Sequence, residues 1–199
     1  MNTKPLTTEE SPPPTWKKPY QFFPLNPVWD ESMEWVLEIG PGNGKFLLWL
    51  AEQNPHQLHI AVEIRNMRFQ NLAQKAREKG LKNLIVIHGD ARHCLSFLFH
   101  HPCLTEAFIL FPDPWPKRRH HKHRLLNTER TEQLHEILKS KGRVWVATDH
   151  DEYSGQIRSV FPPEKWKYEE GKSLYPTYFE TKWKKLGREI HYFCFRKSV

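Results

Sequence analysis

Apolar positions along this chain cluster in two rhythms. Short, nearly continuous apolar runs fall at 35–39 (Trp-Val-Leu-Glu-Ile), 58–63, 84–88, 106–111 and 143–148. Runs of that length bounded by turn formers read as buried strands. Between them, 45–53, 65–79, 91–99 and 128–140 carry apolar residues at helical spacing. Gly80 and Gly142 follow two of these helices, where glycine escapes the left-handed penalty. Strands separated by helices of this length call for right-handed βαβ crossovers and a parallel sheet. Strands apolar on both faces fit a sheet covered on both sides. Beyond residue 150 the rhythm changes. Residues 164–168 and 188–196 read as strands with little helix between them. Glu189–Phe195 alternates in part, as an antiparallel strand added to the sheet would. The pattern therefore predicts an α/β fold, doubly wound, with a mostly parallel sheet and an antiparallel C-terminal strand.

The first thirty residues follow neither rhythm. They hold Pro5, Pro12, Pro13, Pro14, Pro19, Pro24 and Pro27. Proline lacks the amide donor that helices and ladders need, so this arm is expected to be extended or irregular. Trp16, Phe22, Phe23 and Trp29 are too apolar for a free linker, and the later part of the arm is expected to pack on the body. The organisation read from this is an arm over 1–30 and a single domain over 31–199. A chain of 199 residues is long enough for one domain with a sizeable core.

Charge narrows the partner. Thirty Lys and Arg against 23 Asp and Glu leave a formal charge of +7, which points to an anionic partner, most often nucleic acid. Three scattered cysteines, Cys94, Cys103 and Cys194, form no CxxC pair, so neither a disulfide framework nor a zinc site is indicated. The N-terminus shows no signal-peptide apolar core, and no apolar run approaches the roughly 18–20 residues of a membrane span. Cytoplasm is the expected location, with no membrane partner.

Candidate chemistry gathers at the carboxyl ends of the strands, where open α/β sheets bind ligands. Gly40, Gly42 and Gly44 form a GxGxG loop after the first strand. Glycines there allow close backbone approach and backbone angles that a β-carbon forbids. A dinucleotide fingerprint wants GxGxxG, and here the third glycine comes one residue early, which weakens a nicotinamide reading. Glu63 ends the second strand, where a carboxylate can accept from both ribose hydroxyls of a nucleoside. Asp90, before Ala91, follows the third strand and can meet an adenine edge, or simply cap the next helix. Loop and two acids at three successive strand ends suit an adenosine ligand without a pyrophosphate. The order Glu38-Ile39-Gly40-Pro41-Gly42-Asn43-Gly44, then Glu63, then Gly89-Asp90-Ala91, resembles the Rossmann-like class I S-adenosylmethionine methyltransferases.

The most specific stretch is Phe111-Pro112-Asp113-Pro114-Trp115-Pro116-Lys117, followed by Arg118-Arg119-His120-His121-Lys122-His123-Arg124. Prolines on both sides of Asp113 hold its carboxylate at low entropic cost. The stretch resembles the tRNA (guanine-N7-)-methyltransferase family, whose hallmark is an FPDPWPK segment and a basic, histidine-containing run. The resemblance runs from about Trp35 to the C-terminus. It implies S-adenosylmethionine as cofactor, tRNA as partner, and methyl transfer to guanine N7 at position 46 in the variable loop. It places Glu38, Gly40, Gly42, Gly44, Glu63, Asp90, Ala91 and Asp113 at the cofactor, with Asp113 as the catalytic acid. It places Lys117, Asp149, Thr177, Tyr178, Phe179 and Glu180 at the target guanosine. His123 stands where the family often has arginine, and Tyr178 where it usually has lysine.

Three readings fit the basic run. Arg118, Arg119, Lys122 and Arg124, with His120 and His121, can contact RNA phosphates. A nuclear-localisation signal would not explain the FPDPWPK lead. A metal site is disfavoured, since cations lie beside the histidines and no cysteine or carboxylate partner is near. No metal is therefore expected. Rivals to the main reading are an amino-methyltransferase acting on a nucleobase, whose loop would read N/D-P-P-Y/F/W, and a non-catalytic RNA-binding subunit of the same fold. Oligomeric state is open between monomer and homodimer.

Overall fold

A computed structural model describes residues 20–198; Trp16 and the prolines up to Pro19 lie outside the described residues. The elements in chain order are β1 (Gln21–Phe23), β2 (Glu34–Ile39), α1 (Lys45–Gln53), β3 (Gln57–Glu63), α2 (Asn66–Glu78), β4 (Leu84–His88), α3 (Ala91–Leu98) and β5 (Leu104–Leu110). A 3-10 turn at Arg118–His123 leads to α4 (Thr128–Ile137), β6 (Leu138–Thr148), α5 (Asp151–Ser159), β7 (Trp166–Glu170), α6 (Tyr178–Lys185) and β8 (His191–Lys197).

The eight strands among the described residues join one sheet in the order β1-β4-β3-β2-β5-β6-β8-β7. The five central strands run parallel, while β1, β8 and β7 pair antiparallel at the two ends. From β2 the chain winds outward through β3 and β4, then returns to lay β5 and β6 on the other side. The strand order reverses between β2 and β5, which is where ligands bind in sheets of this kind.

Alternate strand residues feed opposite faces. Leu37, Ile60, Val62, Ile85 and Ile87 pack with Leu95, Leu134 and Ile157 from α3, α4 and α5. Ala61, Leu84 and Val86 pack with Leu47, Leu48, Phe69 and Leu72 from α1 and α2. Each of these strand residues is nearly inaccessible, which is why the runs read as continuous rather than alternating.

Several expectations shift. The helix expected over 128–140 stops at Ile137, and β6 begins at Leu138, which pairs with Leu104. The register then slips before Arg143 pairs with Glu106, across an irregular stretch of the strand in which Lys141 has φ 63°. Leu138 is fully buried, so pairing and burial override its helical spacing. The C-terminal part is not strand alone, since α5 and α6 stand between β6 and β8. α6 does carry a start signal in its sequence. Thr177 precedes Glu180 by three residues, and its hydroxyl accepts from the Glu180 amide at 3.1 Å. Within the stretch read as the arm, β1 pairs with β4, and Trp29 packs on Trp35 at 5.5 Å between ring centroids.

One glycine is fixed by the packing of α1 on α2. Gly44 has φ 74°, and a β-carbon there would lie 2.4 Å from Leu72 Cδ1, on a side chain that is itself buried. Gly44→Ala is expected to cost about 2 kcal/mol from left-handed strain and overpacking. For a chain of this size that is roughly 4–8 °C in Tm. A thermal melt checks it, and an unchanged Tm would mean that loop and helix give way freely.

Candidate active site

Four strand ends build the site. After β2 the chain turns through Gly40, Gly42 and Gly44, all at positive φ, with the Gly40 amide donating to Val62 O at 2.9 Å and Gly44 to Pro41 O at 2.9 Å. Gly44 precedes α1 and has no side chain to cap it. The Lys45 amide instead donates to Asn43 Oδ1 at 3.1 Å, so the loop itself caps the helix. Glu63 closes β3, Asp90 follows β4, and the Phe111–Lys117 loop follows β5.

These ends enclose a cavity of about 410 Å³ lined by Gly40, Glu63, Asp90, Ala91, Asp113, Trp115 and His123 among others. That is the size of a small-ligand site. A second cavity, about 340 Å³, shares Gly40, Arg68, Leu110 and Phe111 with it and adds Glu38, Gly42, Phe46, Thr177, Tyr178 and Phe179. The expected cofactor residues Glu38, Gly40, Gly42, Glu63, Asp90, Ala91 and Asp113 thus line two adjoining spaces. Gly44 is buried against Leu72 and acts on the loop's shape.

The acids differ in state. Glu38 is 3% exposed, and its pKa is pushed up to about 8 by burial and then by the charge of Glu63. Burial also raises Glu63, against hydrogen bonds that favour its charge, chief among them the Arg65 amide on Oε1 at 2.8 Å. Oε2 of each acid is buried without a hydrogen-bond partner among the described residues. A buried carboxylate oxygen left so costs free energy until a donor arrives. The pair therefore suits a ligand that brings hydroxyl donors and positive charge. Asp90 is also buried, but Arg92 outweighs that burial and holds its pKa below the ordinary value. Asp90 accepts from the Arg92 amide at 2.9 Å and from the Arg92 guanidinium, so it caps α3 while lining the cavity.

Asp113 sits in an unusual loop. Phe111 and Trp115, two residues to either side, have φ of 55° and 45°. Side chains rarely adopt such angles, and each costs of order 1–3 kcal/mol. Strain of this kind persists where the surroundings impose a conformation. Arg124 is part of what imposes it. Its guanidinium donates to Pro114 O at 2.7 Å and to Gln156 Oε1 at 2.6 Å, and lies 4.9 Å from the Tyr153 ring centroid. Arg124 is 2% exposed. This corrects its expected place among the RNA contacts, since a buried guanidinium spent on the loop cannot reach a phosphate. His121 is half-buried beside it, with Glu152 at 3.4 Å. Arg118, Arg119 and Lys122 are exposed and His120 half-buried, on the 3-10 turn. Trp115 packs against His120 and His123 at 5.8 and 5.3 Å.

The expected guanosine residues are spread. Thr177, Tyr178 and Phe179 line the second cavity. Glu180 lies one step behind, 3% exposed, accepting from Ser173 Oγ at 2.9 Å and Lys184 Nζ at 2.5 Å. Asp149, just beyond β6, takes Arg188 Nη1 at 2.5 Å. Lys117 is exposed at the start of the 3-10 turn and lines neither cavity. Arg68 and Arg92 were not among the expected residues, yet both line the first cavity. Arg92 had a signal, standing two residues after a helix-capping acid. Arg68 had none, because only the approach of α2 to the loop brings it in. Among the described residues no cluster of His, Cys, Asp or Glu could hold a metal ion.

Residues 32–193 match the family described as "Putative methyltransferase". The chain is 34% identical over 183 residues to a tRNA (guanine-N(7)-)-methyltransferase of Nitrosococcus oceani, covering 88% of this chain and 78% of that one. It is 32% identical over 194 residues to a protein of the same name from Nitrosospira multiformis, covering 93% and 85%. Among solved structures, 16S rRNA methyltransferase KamB superposes with a TM-score of 0.61 at 17% identity, covering 85% of this chain and 89% of that one. That likeness speaks to the fold.

Proposed function

This chain belongs to the tRNA (guanine-N(7)-)-methyltransferase family, and we propose that it transfers a methyl group from S-adenosylmethionine to N7 of the guanine at position 46 in the tRNA variable loop. The observation that carries the reading is the pair of buried, unpartnered acid oxygens on Glu38 and Glu63 beside the Gly40–Gly44 loop. When bound, the cofactor supplies an electrophilic methyl on a sulfonium. Glu63 would hold its ribose hydroxyls, Glu38 its charged end, and Asp90 with Ala91 its adenine.

Guanine N7 has a lone pair and no proton at neutral pH. No strong general base is needed, and the protein's work is alignment and electrostatics. Asp113 is the catalytic acid. Its carboxylate, fixed between two prolines, stabilises the positive charge that develops on the purine. Asp149 accepts from guanine N1–H and the exocyclic amine, a donor pair adenine does not present, while Glu180, buried and holding Ser173 and Lys184, fixes the α6 start that carries Thr177–Phe179. Phe179 and Trp115 offer ring faces at the site. N7 lies in the deep, narrow groove of an RNA helix, so the target base has to be splayed out or come from a loop. The cytoplasm is where such a tRNA is met, and no described helix is long and apolar enough to cross a membrane.

The test is labelled S-adenosylmethionine with unmodified tRNA, followed by nucleoside mapping. Label in 7-methylguanosine at position 46 supports the reading, while label in a methylated adenine or in no nucleoside rejects it. The exposed run Arg118, Arg119 and Lys122 is read as the phosphate contact. Replacing all three by Ala is expected to flatten the salt dependence of tRNA binding, by about 0.7–0.9 in log–log slope for each phosphate no longer neutralised. Filter binding at several salt concentrations measures this, and an unchanged slope would move the RNA path elsewhere.

A further inference from the structure

Two of the acids expected at the guanosine each carry a cation from the same short segment. Lys184 on Glu180 is an ordinary pair one helical turn apart. Arg188 on Asp149 spans 39 residues and is built differently. α6 ends in a Schellman motif. Gly187, at φ 70°, donates to Lys184 O at 3.0 Å, and the Arg188 amide donates to Trp183 O at 3.0 Å. The turn folds Arg188 back over Trp183, with its guanidinium carbon 4.2 Å from the ring centroid. Trp183 stacks on Phe179 at 6.4 Å between centroids, and Phe179 lines the second cavity. Arg188 is half exposed, while the Asp149 side chain is only 12% exposed. Arg188 thus lies on an aromatic ring, with an N–H of its planar guanidinium on a shielded carboxylate.

A guanine would take the same posture. N1, N2 and N3 about C2 of the base form a guanidine unit, planar and with the N1–H and N2–H donors on one edge. Stacked on a ring, that edge fits a carboxylate as an arginine fork does. We propose that Arg188 is an internal stand-in for the target guanine, occupying Asp149 until the base displaces it. The inference rests on the reading of Asp149 as a guanine-binding acid. The exchange swaps one set of N–H donors for another and makes or breaks no covalent bond. It also adds selectivity. Adenine presents a bare acceptor at N1 beside its amine and cannot offer the two adjacent donors of the guanine edge, so guanine releases Arg188 more readily than adenine. Arg188 is a positioning and specificity-determining residue.

The sign of the effect separates this role from phosphate binding. Two short single-stranded RNAs differing only in a central guanosine or inosine serve as probes, since inosine lacks the exocyclic amine. R188Q is expected to tighten the guanosine RNA about three- to fivefold, the factor a half-exposed ion pair carries, and the inosine RNA less. In tRNA kinetics KM falls while kcat changes little. R188K keeps the charge and loses the planar fork, and tightens in part. In a D149N background the R188Q effect disappears. Weaker binding of both RNAs by R188Q would make Arg188 a phosphate contact and overturn the proposal, as would tightening that persists with D149N. If D149N alone leaves guanosine binding unchanged, the reading of Asp149 itself fails, a result distinct from failure of the Arg188 exchange.

Discussion

Asp113→Ala is expected to lower kcat for tRNA methylation by about 10²- to 10³-fold, the loss that follows removal of one preorganised electrostatic group from an active site. Cofactor affinity is expected to change far less, because Glu38, Glu63 and Asp90 remain. Asp113 is exposed at the cavity wall, and little of the core depends on it. The strained turns at Phe111 and Trp115 and the buried Arg124 hold its loop whether or not its carboxylate is present. The variant should therefore melt within a degree or two of the parent and still bind S-adenosylmethionine, shown by a ligand-dependent rise in Tm. Single-turnover assays with saturating cofactor give the rate. Transfer within threefold of the parent rate would remove Asp113 from the chemistry. Loss of the thermal shift as well would reassign it to cofactor binding alone.

Cofactor affinity is expected to rise with pH between about 6 and 7.5, approaching tenfold per unit, and to flatten as pH passes the Glu38 value of about 8. The sign follows from burial. In the ligand-free protein Glu38 is held protonated, its pKa raised from the ordinary 4.5. A raised carboxyl stabilises the fold fully below its unfolded value and loses that contribution as pH rises toward its folded value. Ligand-free Tm should therefore drift downward between about pH 5 and 8. A ligand bearing positive charge beside Glu38 reverses the preference. Binding expels the proton, so affinity climbs over the range in which the ligand-free fold loses ground. Glu38→Gln has no proton to lose and should flatten most of both slopes. Calorimetry in buffers of different ionisation enthalpy counts the protons released. No release at pH 7, with affinity independent of pH, would mean that Glu38 stays neutral in the complex.

Much of the site is readable along the chain. Gly40–Gly44, Glu63, Asp90 and Asp113 each follow a strand whose apolar run marks it, and strand ends on one edge of a parallel sheet necessarily converge. That convergence is a property of the winding, so local patterns carry it. Thr177 and Glu180 likewise spell a helix start, although the pattern around them reads as loop between strands. The run after Lys117 announces its charge but not the fate of each residue. Arg118 and Arg119 stay in solvent while Arg124, a few residues on, is buried beneath the loop.

The amino-acid sequence by itself determined the α/β winding and the placing of Glu63, Asp90 and Asp113 at strand ends, because those follow from short-range periodicity and residue type, while the class of chemistry followed from the resemblance carried by the segment from Phe111. Tertiary structure alone decided the protonation of Glu38, the strain at Phe111 and Trp115, the end of α4 at Ile137, the burial of Arg124 and the meeting of Arg188 with Asp149. Each depends on how closely distant segments approach, and thus on desolvation and packing, which no local pattern of residues encodes.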